Sequence, residues 1–500
     1  SLDLLMGRVD RAHVMRRHLE ENGIAPATLD ALVARPCPPD VIGINYYVTS
    51  DRFLDERLER YPSCTHGGNG WQRYADVEAV RVAGERIAGH ATVLEETFAR
   101  YGRPVALTEV HLGCTREEQL RWLLEAWRSA ETCAQRGVDV RGVTVWSAFG
   151  SLDWDSLLTR SAGRYEPGLF DVRSSPPRAT ALARTARALG EGRRVDDPAL
   201  SGRGWWRERL RIAYPRASSA PRAIAGRSER GLLVVGDGVL SDGLSALAAA
   251  RGLALQRANG LSAAFARLAA TRPWAIVLAA EPVDHDARAV TSVGAGAVAE
   301  LAQRCADGGV RFALCSSDRV FDGGSDTPYV ESDRVRARCA QGRALQRLEA
   351  ALAAREHALI VRTGPLLDPA HPRCHARRLL NGLTGDQAAL DEVVSPTLVR
   401  HALDVLLDLL IDAERGIWHL ANRGAVSLRA LLAQLVGERE AAGEPCSRVT
   451  PRELAGQRSQ PAPMRALGSD RGWLLPPFEQ AIAAYLAERK EALRAQDGAA

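Results

Sequence analysis

Residues 312–324 read Phe-Ala-Leu-Cys-Ser-Ser-Asp-Arg-Val-Phe-Asp-Gly-Gly, and Pro-Tyr-Val-Glu-Ser-Asp follows at 328–333. The first run opens with apolar residues, which predicts a buried strand, and it brings Ser316, Ser317 and Asp318 to the carboxyl end of that strand. In an open α/β sheet, ligands bind outside the carboxyl ends of the strands. The sequence therefore places candidate functional side chains at the edge of such a sheet.

The residues around this run alternate between strand and helix patterns. Apolar strands are predicted at Leu232–Val235, Trp274–Ala279, Val310–Cys315 and Ala358–Arg362, and a helix at Leu244–Ala250. Strands that alternate with helices favour a Rossmann-like doubly wound parallel sheet in an α/β protein. We expect this nucleotide-binding domain over residues 230–370, and a small mixed substrate domain with C-terminal helices over residues 371–495.

A glycine-bearing turn, Gly236-Asp237-Gly238-Val239-Leu240-Ser241-Asp242-Gly243, joins the first of these strands to its helix. Such a turn lets the helix N-terminus face the pyrophosphate of a dinucleotide, so Gly236, Gly238 and Gly243 are candidate cofactor-binding residues. The spacing is G-x-G-x-x-x-x-G, and Asp237 and Asp242 place negative charge beside the phosphate position. The alternative is a strand–helix turn that binds no ligand.

Composition narrows the class of protein. The chain has 500 residues, 46% of them hydrophobic, which is enough for two or three cores. Its formal net charge is +4, and no basic block is interleaved with aromatic residues, so we expect no nucleic-acid partner. No apolar run reaches the roughly 18 residues of a membrane span, so we expect no membrane partner. Nine scattered cysteines without a C-x-x-C spacing predict reduced thiols in a cytoplasmic protein.

One local cluster, His371, Cys374 and His375, has residue types that bind metals. It lacks the second pair of ligands that a structural zinc site needs, so we expect no metal.

The N-terminal region shows a second βα alternation. Strands are predicted at Val41–Tyr47, Pro104–Glu109 and Gly142–Ser147, with a long helix over about 117–135 between the last two. These spacings suit a parallel sheet or a barrel over residues 1–190. Residues 191–229 are rich in proline, serine and arginine without apolar periodicity, which predicts a linker. Trp205 and Trp206 are expected to anchor it on a domain face.

The C-terminal phrases resemble dTDP-4-dehydrorhamnose reductases, a branch of the extended short-chain dehydrogenases/reductases. Their S-T-D-Y-V-F-D-G and P-Y-x-E segment is similar to 316–331, and the phrases at 361–364, 394–397 and 417–422 follow in the family's order. The resemblance implies binding of NAD(P)H and of a nucleotide sugar whose C4 ketone accepts a hydride. It also implies catalytic roles for Ser317 and Asp318, and substrate contacts for Ser395 and Thr397.

The family's proton-donating Tyr-x-x-x-Lys pair is replaced. Its Y-G-x-S-K phrase maps onto residues 341–345, where Gln341 stands for the tyrosine and Leu345 for the lysine. The chain contains a single lysine, Lys490, so no local shift of the alignment restores the pair. Losing a positioned general acid typically costs about 10²- to 10⁴-fold in rate. We therefore expect retained ligand binding with doubtful reductase turnover.

The N-terminal phrases resemble the C-terminal half of a family 1 glycoside hydrolase (β-glucosidase) barrel. Residues 40–47 are similar to its D-F-I-G-I-N-Y-Y strand, 107–109 to the strand that ends in T-E-N-G, and 145–154 to its closing W-S-L phrase. The resemblance implies a partial (β/α)8-type barrel. It also implies that Glu109 is a nucleophile hydrogen-bonded by Tyr47, and that Trp146, Asp153 and Trp154 line a sugar site.

Three departures bear on glycosidase activity. Val110 follows Glu109 where the family has asparagine, and Asp153 stands where the family has glutamate. No N-E-P phrase supplies the second carboxyl that a retaining glycosidase needs. Because the first half of the barrel is missing, we expect the chain to be a fragment of a longer protein.

Three hypotheses follow from these residues. The first is a protein of the reductase lineage that binds NAD(P) and a nucleotide sugar. The second is a non-catalytic carbohydrate-binding or scaffold protein, and the third is a β-glycosidase that needs upstream sequence. The sugar, the choice between NADH and NADPH, and the oligomeric state stay open.

Overall fold

The structure is a computed structural model that describes residues 2–497, except 83–85, 157–158, 209–210, 215–229, 280–293, 354, 370, 372–373, 375–389 and 442–461. The strands are β1 Ile42–Asn45, β2 Arg52–Asp55, β3 His66–Gly68, β4 Arg73–Glu78, β5 Val105–Val110, β6 Val140–Val145, β7 Ser151–Leu152, β8 Tyr165–Glu166, β9 Phe170–Asp171, β10 Arg178–Ala179, β11 Leu232–Val235, β12 Leu255–Ala258, β13 Ala275–Ala279, β14 Arg311–Ser317, β15 Ala358–Thr363, β16 Leu366–Leu367, β17 Val393–Val394, β18 Thr397–Leu398, β19 Gly416–His419 and β20 Val426–Ser427.

The described helices alternate with these strands in both halves of the chain. They are α1 Leu2–Leu5, α2 Arg16–Glu21, α3 Pro26–Ala34, α4 His90–Tyr101, α5 Arg116–Gln135, α6 Ala181–Gly190, α7 Val239–Ala250, α8 Leu261–Thr271, α9 Ala295–Asp307, α10 Ala340–Ala353, α11 Val399–Ile411, α12 Leu428–Ala441 and α13 Phe478–Asp497. Short 3₁₀ turns also occur, among them Asp318–Val320 directly after β14.

The C-terminal half, residues 230–497, is built on one parallel sheet of six strands in the order β12-β11-β13-β14-β15-β19. Every residue of β11, β13 and β15 is buried, as expected for strands that are covered on both faces. The side chains of β11 alternate between two hydrophobic clusters. One cluster includes α7 and α11, and the other includes α8, α9 and α10. The parallel-sheet, Rossmann-like prediction for this half is confirmed.

Strand boundaries in this half differ from the prediction by a few residues. The strand after residue 310 is longer than predicted and includes Ser316 and Ser317, which pair with Arg362 and Thr363 of β15. The helix after the glycine turn begins at Val239 rather than Leu244. Gly243 lies inside it, and a Cβ there would come within 2.7 Å of Leu403 on α11. This glycine therefore lets two helices pack closely.

The N-terminal half, residues 2–214, contains a parallel sheet of three strands in the order β1-β5-β6. The long helix α5 joins β5 to β6, as the sequence predicts. The structure adds an antiparallel sheet, β2-β4-β3, inserted after β1, which the apolar patterning did not indicate. These elements establish a parallel α/β arrangement, and the partial-barrel interpretation stays a prediction.

The two halves pack on each other through apolar and charged contacts. One hydrophobic cluster includes Trp122 of α5 together with Leu406 of α11. Within the same contact, Arg116 lies 3.2 Å from the buried Asp412, and Arg251 lies 2.5 Å from the buried Glu117. A buried charge paired in this way is costly to leave alone, so the halves are coupled energetically.

The first part of the predicted linker lies against the N-terminal half. Trp206 is 2% exposed and packs edge-on against Trp122, with ring centroids 4.9 Å apart. Its indole nitrogen donates a hydrogen bond to Glu125. The predicted anchoring role of this tryptophan is confirmed, while residues 215–229 lie outside the described part of the chain.

Candidate functional site

The strand end at residues 316–318 lies at the same edge of the C-terminal sheet as the glycine turn, because the carboxyl ends of parallel strands point the same way. The Ser316 hydroxyl donates a 2.6 Å hydrogen bond to Glu349 of α10. The Ser317 hydroxyl accepts a hydrogen bond from the backbone N–H of Arg319. Ser316 is therefore held inside the fold, whereas the Ser317 hydroxyl keeps its proton for another acceptor.

Asp318 is the most unusual side chain at this edge. It is 3% exposed, and its Oδ2 atom has no hydrogen-bond partner among the residues that the structure describes. Burial raises the pKa of this carboxyl above its ordinary value, and the nearby guanidinium of Arg465 offsets only part of that rise. A buried carboxyl oxygen without a partner costs the folded state free energy, so it marks a place where a ligand could supply the missing bond.

Arg465 faces Asp318 from the other side of the site. Its Nε atom lies 3.9 Å from Asp318 Oδ2 and also lacks a hydrogen-bond partner within the described residues. The same guanidinium donates a short hydrogen bond to Glu392, just before β17. Burial raises the pKa of Glu392, although Arg465 works against the rise.

The backbone fixes where Arg465 stands. The N–H of Arg465 donates to Val393 of β17, and the N–H of Met464 donates to Gly323 in the loop after β14. The segment thus lies between the six-stranded sheet and the smaller mixed region. Arg465 is far from Asp318 in the sequence, and no local pattern linked them. Arg465 and Glu392 are site residues that the sequence analysis missed.

A second charged group lies deeper beneath the same strand ends. Arg362 of β15 is 2% exposed and makes paired hydrogen bonds to both carboxylate oxygens of Glu349. His419 lies 3.3 Å from the same guanidinium, and burial together with that positive charge lowers its pKa to about 4. The contacts among Arg362, Glu349 and His419 join β15 and β19 to α10. These polar side chains are therefore partners of one another.

Helix α10 carries Gln341 and Leu345, the residues that the sequence resemblance aligns with the family's Tyr-x-x-x-Lys pair. A Cβ at Gly342 would lie 2.0 Å from the carbonyl oxygen of Arg319, so this glycine allows the helix to approach the turn after β14. Its match to the glycine of the family phrase supports the alignment of Gln341 and Leu345. Leu345 is fully buried in the hydrophobic cluster on that face of the sheet.

The glycine turn adopts a backbone conformation that favours glycine at two positions. Gly236 and Gly238 have φ values of 114° and 132°, which side-chain-bearing residues rarely adopt. A Cβ at Gly236 would lie 2.8 Å from the carbonyl oxygen of Ala279 at the end of β13. The residues therefore fit a backbone cradle for a phosphate at the start of α7.

The charges around this turn are already paired with one another. Arg257, at the third position of β12, donates to Asp242 at 2.6 Å and to Asp237 at 3.3 Å. His371 lies 3.0 Å from the other oxygen of Asp242. Burial alone would raise the pKa of Asp242, but the bonds from Arg257 and His371 lower it. Arg257 therefore already has two carboxylate partners in the structure.

Ser395 and Thr397 lie where two backbone segments approach closely. The Ser395 hydroxyl donates to the carbonyl of Gly424 at 2.6 Å and accepts from the N–H of Leu467. The Thr397 hydroxyl accepts from the N–H of Gly364. Both residues are fully buried. Their substrate-binding role stays a prediction, and the contacts shown hold the smaller region against the sheet.

In the N-terminal half, Tyr47 and Glu109 meet as the resemblance implies. The Tyr47 hydroxyl donates a short hydrogen bond to Glu109, near the end of β5. Burial and the adjacent carboxylate raise the pKa of Tyr47 to about 12. Trp146 follows β6, and its backbone N–H donates to Val110, which places this residue at the same end of the sheet.

The two remaining candidates of this half differ in exposure. The indoles of Trp146 and Trp154 lie 5.6 Å apart, and Trp154 is 45% exposed. Asp153 is buried at a φ of 50°, and its carboxylate accepts the backbone N–H groups of residues 162–164. These bonds lower the pKa of Asp153. Its carboxylate shapes the loop, and the sugar contact stays a prediction.

No group of three or more metal-ligating side chains occurs in the described part of the chain. In the cluster of His371, Cys374 and His375, the Cys374 thiol donates a hydrogen bond to the carbonyl of Leu366. His375 lies outside the described residues. None of the helices that the structure describes is long and apolar enough to cross a membrane.

Comparison with known proteins identifies a family for the C-terminal half of the chain. The family model of the RmlD substrate binding domain matches residues 243–490. The dTDP-4-dehydrorhamnose reductase of Mycobacterium tuberculosis is 32% identical over 273 aligned residues, which cover 50% of this chain and 88% of that protein.

Solved structures of similar proteins cover about half of the chain. A dTDP-4-dehydrorhamnose reductase of Clostridium acetobutylicum is 17% identical, with 52% of this chain and 99% of that chain covered and a TM-score of 0.41. The dTDP-4-dehydrorhamnose reductase of Bacillus anthracis in complex with NADP is also 17% identical, with 51% and 98% covered and a TM-score of 0.42.

Proposed function

Because this chain belongs, through its C-terminal half, to the dTDP-4-dehydrorhamnose reductase family, we propose that it binds NAD(P) and a nucleotide sugar at the carboxyl edge of the six-stranded sheet. The observation that carries the proposal is the meeting of two features at one edge. The Gly236–Gly238 turn opens α7 there, and Ser317 and Asp318 end β14. The cofactor would supply a hydride, and the strand-end side chains would hold the sugar.

Reductase turnover is proposed to be low. Gln341 offers an amide in place of a phenol, and an amide does not give up a proton near neutral pH. Leu345 is enclosed by apolar side chains and supplies no charge at its position. The Arg343 guanidinium is exposed, but arginine stays protonated and is a poor acid. The proton that the alkoxide needs would have to come from solvent or from a less well placed group.

A fluorescence titration of this chain with NADPH and NADH, each with and without dTDP-rhamnose, tests the proposal. We expect saturable binding in the micromolar range, weakened by the pairing of Arg257 with Asp242. An Arg257→Gln variant that loses preference for NADPH over NADH would place the 2′-phosphate at this residue. Absence of binding up to millimolar cofactor and dTDP-sugar would overturn the proposal.

For the N-terminal half we propose a sugar-binding surface as a second function. The hydrogen bond between Tyr47 and Glu109, with Trp146 and Trp154 beside it, supports this proposal. Aromatic rings next to a carboxylate suit a sugar, because its C–H faces stack on indoles and its hydroxyls bind carboxylates. Glycosidase activity would require a second carboxyl from outside this sequence. Quenching of tryptophan fluorescence by glucose oligosaccharides, lost in Trp154→Ala, is the corresponding measurement.

We also propose the units 1–190, 191–229, 230–370 and 371–495 as the functional divisions of the chain. The contact of Trp206 with Trp122 supports packing of the second unit on the first, and the contact of α11 with α5 supports packing of the fourth unit on the first. Limited proteolysis checks this proposal, with the expected first cut inside 191–229.

A further inference from the structure

A cavity of about 380 Å³ lies where the N-terminal half and the predicted linker meet the C-terminal half. In the C-terminal half it is lined by Arg230, Ala254 and Trp274, which lie just before β11, β12 and β13. On the other side it is lined by Thr115, at the start of α5, and by Trp205 of the predicted linker. The glycine turn and the end of β14 lie at the carboxyl ends of these parallel strands, so the cavity is at the opposite edge of the sheet.

The size and the apolar part of this cavity suit a small organic ligand. Small-molecule sites typically have volumes of about 300–1,000 Å³. Ala250 at the end of α7, Leu253 and Trp274 supply apolar surface from the C-terminal half. From the linker side, the ring of Trp205 lies 4.2 Å from the guanidinium of Arg81, which also lines the cavity. Indole and guanidinium planes are surfaces on which a planar apolar group stacks.

The charged part of the lining is predominantly basic. Among the described residues, six arginines and two glutamates line the cavity. Arg121 forms an ion pair with Glu118, and Arg251 forms one with Glu117. The other charged residues of the lining are Arg81, Arg203, Arg211, Arg230 and Glu208.

The bonds that hold two of these arginines do not neutralise them. Arg211 donates to two backbone carbonyl groups of the N-terminal half, and Arg230 donates to one of the C-terminal half. A carbonyl group carries no net charge, so these bonds fix the guanidinium groups and leave their positive charge. Burial, together with the positive charges of Arg86 and Arg207, lowers the pKa of Arg211. An anion in the cavity would offset this accumulation of positive charge.

We propose that this cavity binds a small organic anion that carries a planar apolar group, and that the ligand contacts both halves of the chain. The site is separate from the proposed nucleotide-sugar site, because the two lie at opposite edges of the six-stranded sheet. It depends on the packing of the N-terminal half and the linker against the amino ends of the strands. A ligand held there stabilises the packed arrangement of the two halves.

Isothermal titration calorimetry of the full chain with 1-naphthyl phosphate, 1-naphthoate, 1-naphthol and inorganic phosphate tests the inference. Naphthol keeps the aromatic group without the charge, and inorganic phosphate keeps the charge without the aromatic group. We expect the better of the two aromatic anions to bind at least about tenfold more tightly than naphthol or inorganic phosphate. The comparison of 1-naphthyl phosphate with 1-naphthoate identifies the preferred anionic group.

Two variants locate the bound anion. Arg203→Gln removes an exposed guanidinium from the lining, and Ala250→Phe fills the cavity from an exposed position at the end of α7. Because both positions are exposed, we expect both variants to fold. The first should weaken binding of the preferred aromatic anion about fivefold, and the second at least about tenfold.

The matched controls are Arg193→Gln, an exposed arginine paired with Glu191, and Ala246→Phe, at an exposed position one turn earlier on α7. Both should leave the affinity unchanged. Equal affinity for the aromatic anions and for naphthol or inorganic phosphate would overturn the inference, as would the absence of binding. Unchanged binding in either lining variant would place the anion elsewhere and overturn it as well. Failure of the chain to bind NAD(P) would refute the proposed function and leave this inference standing.

Discussion

Two carboxylates stand near the ends of parallel strands in the two halves of this chain, and their surroundings are opposite. Glu109 in the N-terminal half is partly exposed and already accepts a hydrogen bond from Tyr47. Asp318 in the C-terminal half is buried, and one of its oxygens has no partner within the described residues. The first carboxylate is satisfied in the free protein, whereas the second carries a free-energy cost that a ligand would relieve.

The comparison shows that resemblance to a family and evidence for a functional site are separate questions. The sequence resemblance aligns Gln341 and Leu345 of the C-terminal half with the family's Tyr-x-x-x-Lys pair, and Asp318 in the same half has a buried oxygen without a partner in the described residues. Functional sites are often places where a fold carries such a local cost. The unpartnered Asp318 oxygen therefore supports our proposal of ligand binding more directly than the sequence phrase alone.

The largest expected effect concerns the position of the family's lysine. Leu345→Lys places an ammonium group among apolar side chains, and the neighbouring carboxylate of Glu349 is already paired with Arg362. We therefore expect this variant to destabilise the fold by about 4 kcal/mol. Urea unfolding followed by circular dichroism gives this value. The milder Gln341→Tyr, at a half-buried position, is the control and should cost much less. A well-folded Leu345→Lys variant would show that this site can still accept a charge.

The next largest effect is expected for Arg178→Met, which tests whether the two halves unfold cooperatively. Arg178 is buried between Asp171, Asp412 and Glu414, the last two contributed by the C-terminal half. Arg178→Met leaves these carboxylates with fewer partners, and we expect a loss of about 3 kcal/mol in the free energy of unfolding. Arg193→Met, in an exposed ion pair with Glu191, is the matched control and should change little.

Denaturant unfolding of the Arg178→Met variant should shift tryptophan fluorescence and secondary structure together. Separate transitions, with only one of them displaced, would contradict the coupling of the halves.

A smaller effect of opposite sign is expected at Asp318. Its pKa in the folded protein lies above the ordinary value of 3.8, so the carboxyl costs no stability below that pH and an increasing amount as the pH rises through the folded pKa. Asp318→Asn should therefore stabilise the chain by about 1 kcal/mol at pH 7 and by nothing at about pH 3.5. Thermal unfolding across this pH range measures the difference. A destabilised variant at pH 7 would mean that the carboxylate is satisfied in solution.

The smallest effect is expected for the satisfied carboxylate. Tyr47→Phe removes one hydrogen bond to Glu109, which solvent can partly replace because the carboxylate is only half-buried, so we expect a loss of about 0.5–1 kcal/mol. The same variant removes a phenol with a pKa of about 12 from the alkaline absorbance titration of the chain. A loss as large as that of Arg178→Met would remove the contrast between the two carboxylates.

Much of the fold could be predicted from the sequence, because buried parallel strands are continuous apolar runs. Leu232–Val235 was predicted to the residue, and the strands around 275, 311 and 358 were placed within two residues. The antiparallel sheet of β2, β3 and β4 was missed. Its strands carry few apolar residues and alternate weakly, so they resemble loop sequence.

The site was less predictable than the fold. Ser317 and Asp318 were found because they follow an apolar strand, but the sequence could not show that Asp318 lacks a partner. Arg465 follows no strand or motif, and its contact with Asp318 depends on the folding of the smaller region against the sheet. The buried ion pair of Arg362 could have been predicted from the sequence, because a charged residue in a fully buried strand requires a partner such as Glu349.

Binding of a nucleotide sugar without efficient reduction is the behaviour that we propose for this chain. The decisive measurement is the rate of NADPH oxidation with dTDP-4-dehydrorhamnose, compared with the Mycobacterium tuberculosis reductase at equal concentration. We predict that dTDP-rhamnose binds to this chain and that NADPH oxidation is at least about 100-fold slower than in that relative, because Gln341 supplies no proton at the position aligned with the family's tyrosine. Equal rates in the two proteins would contradict the proposal.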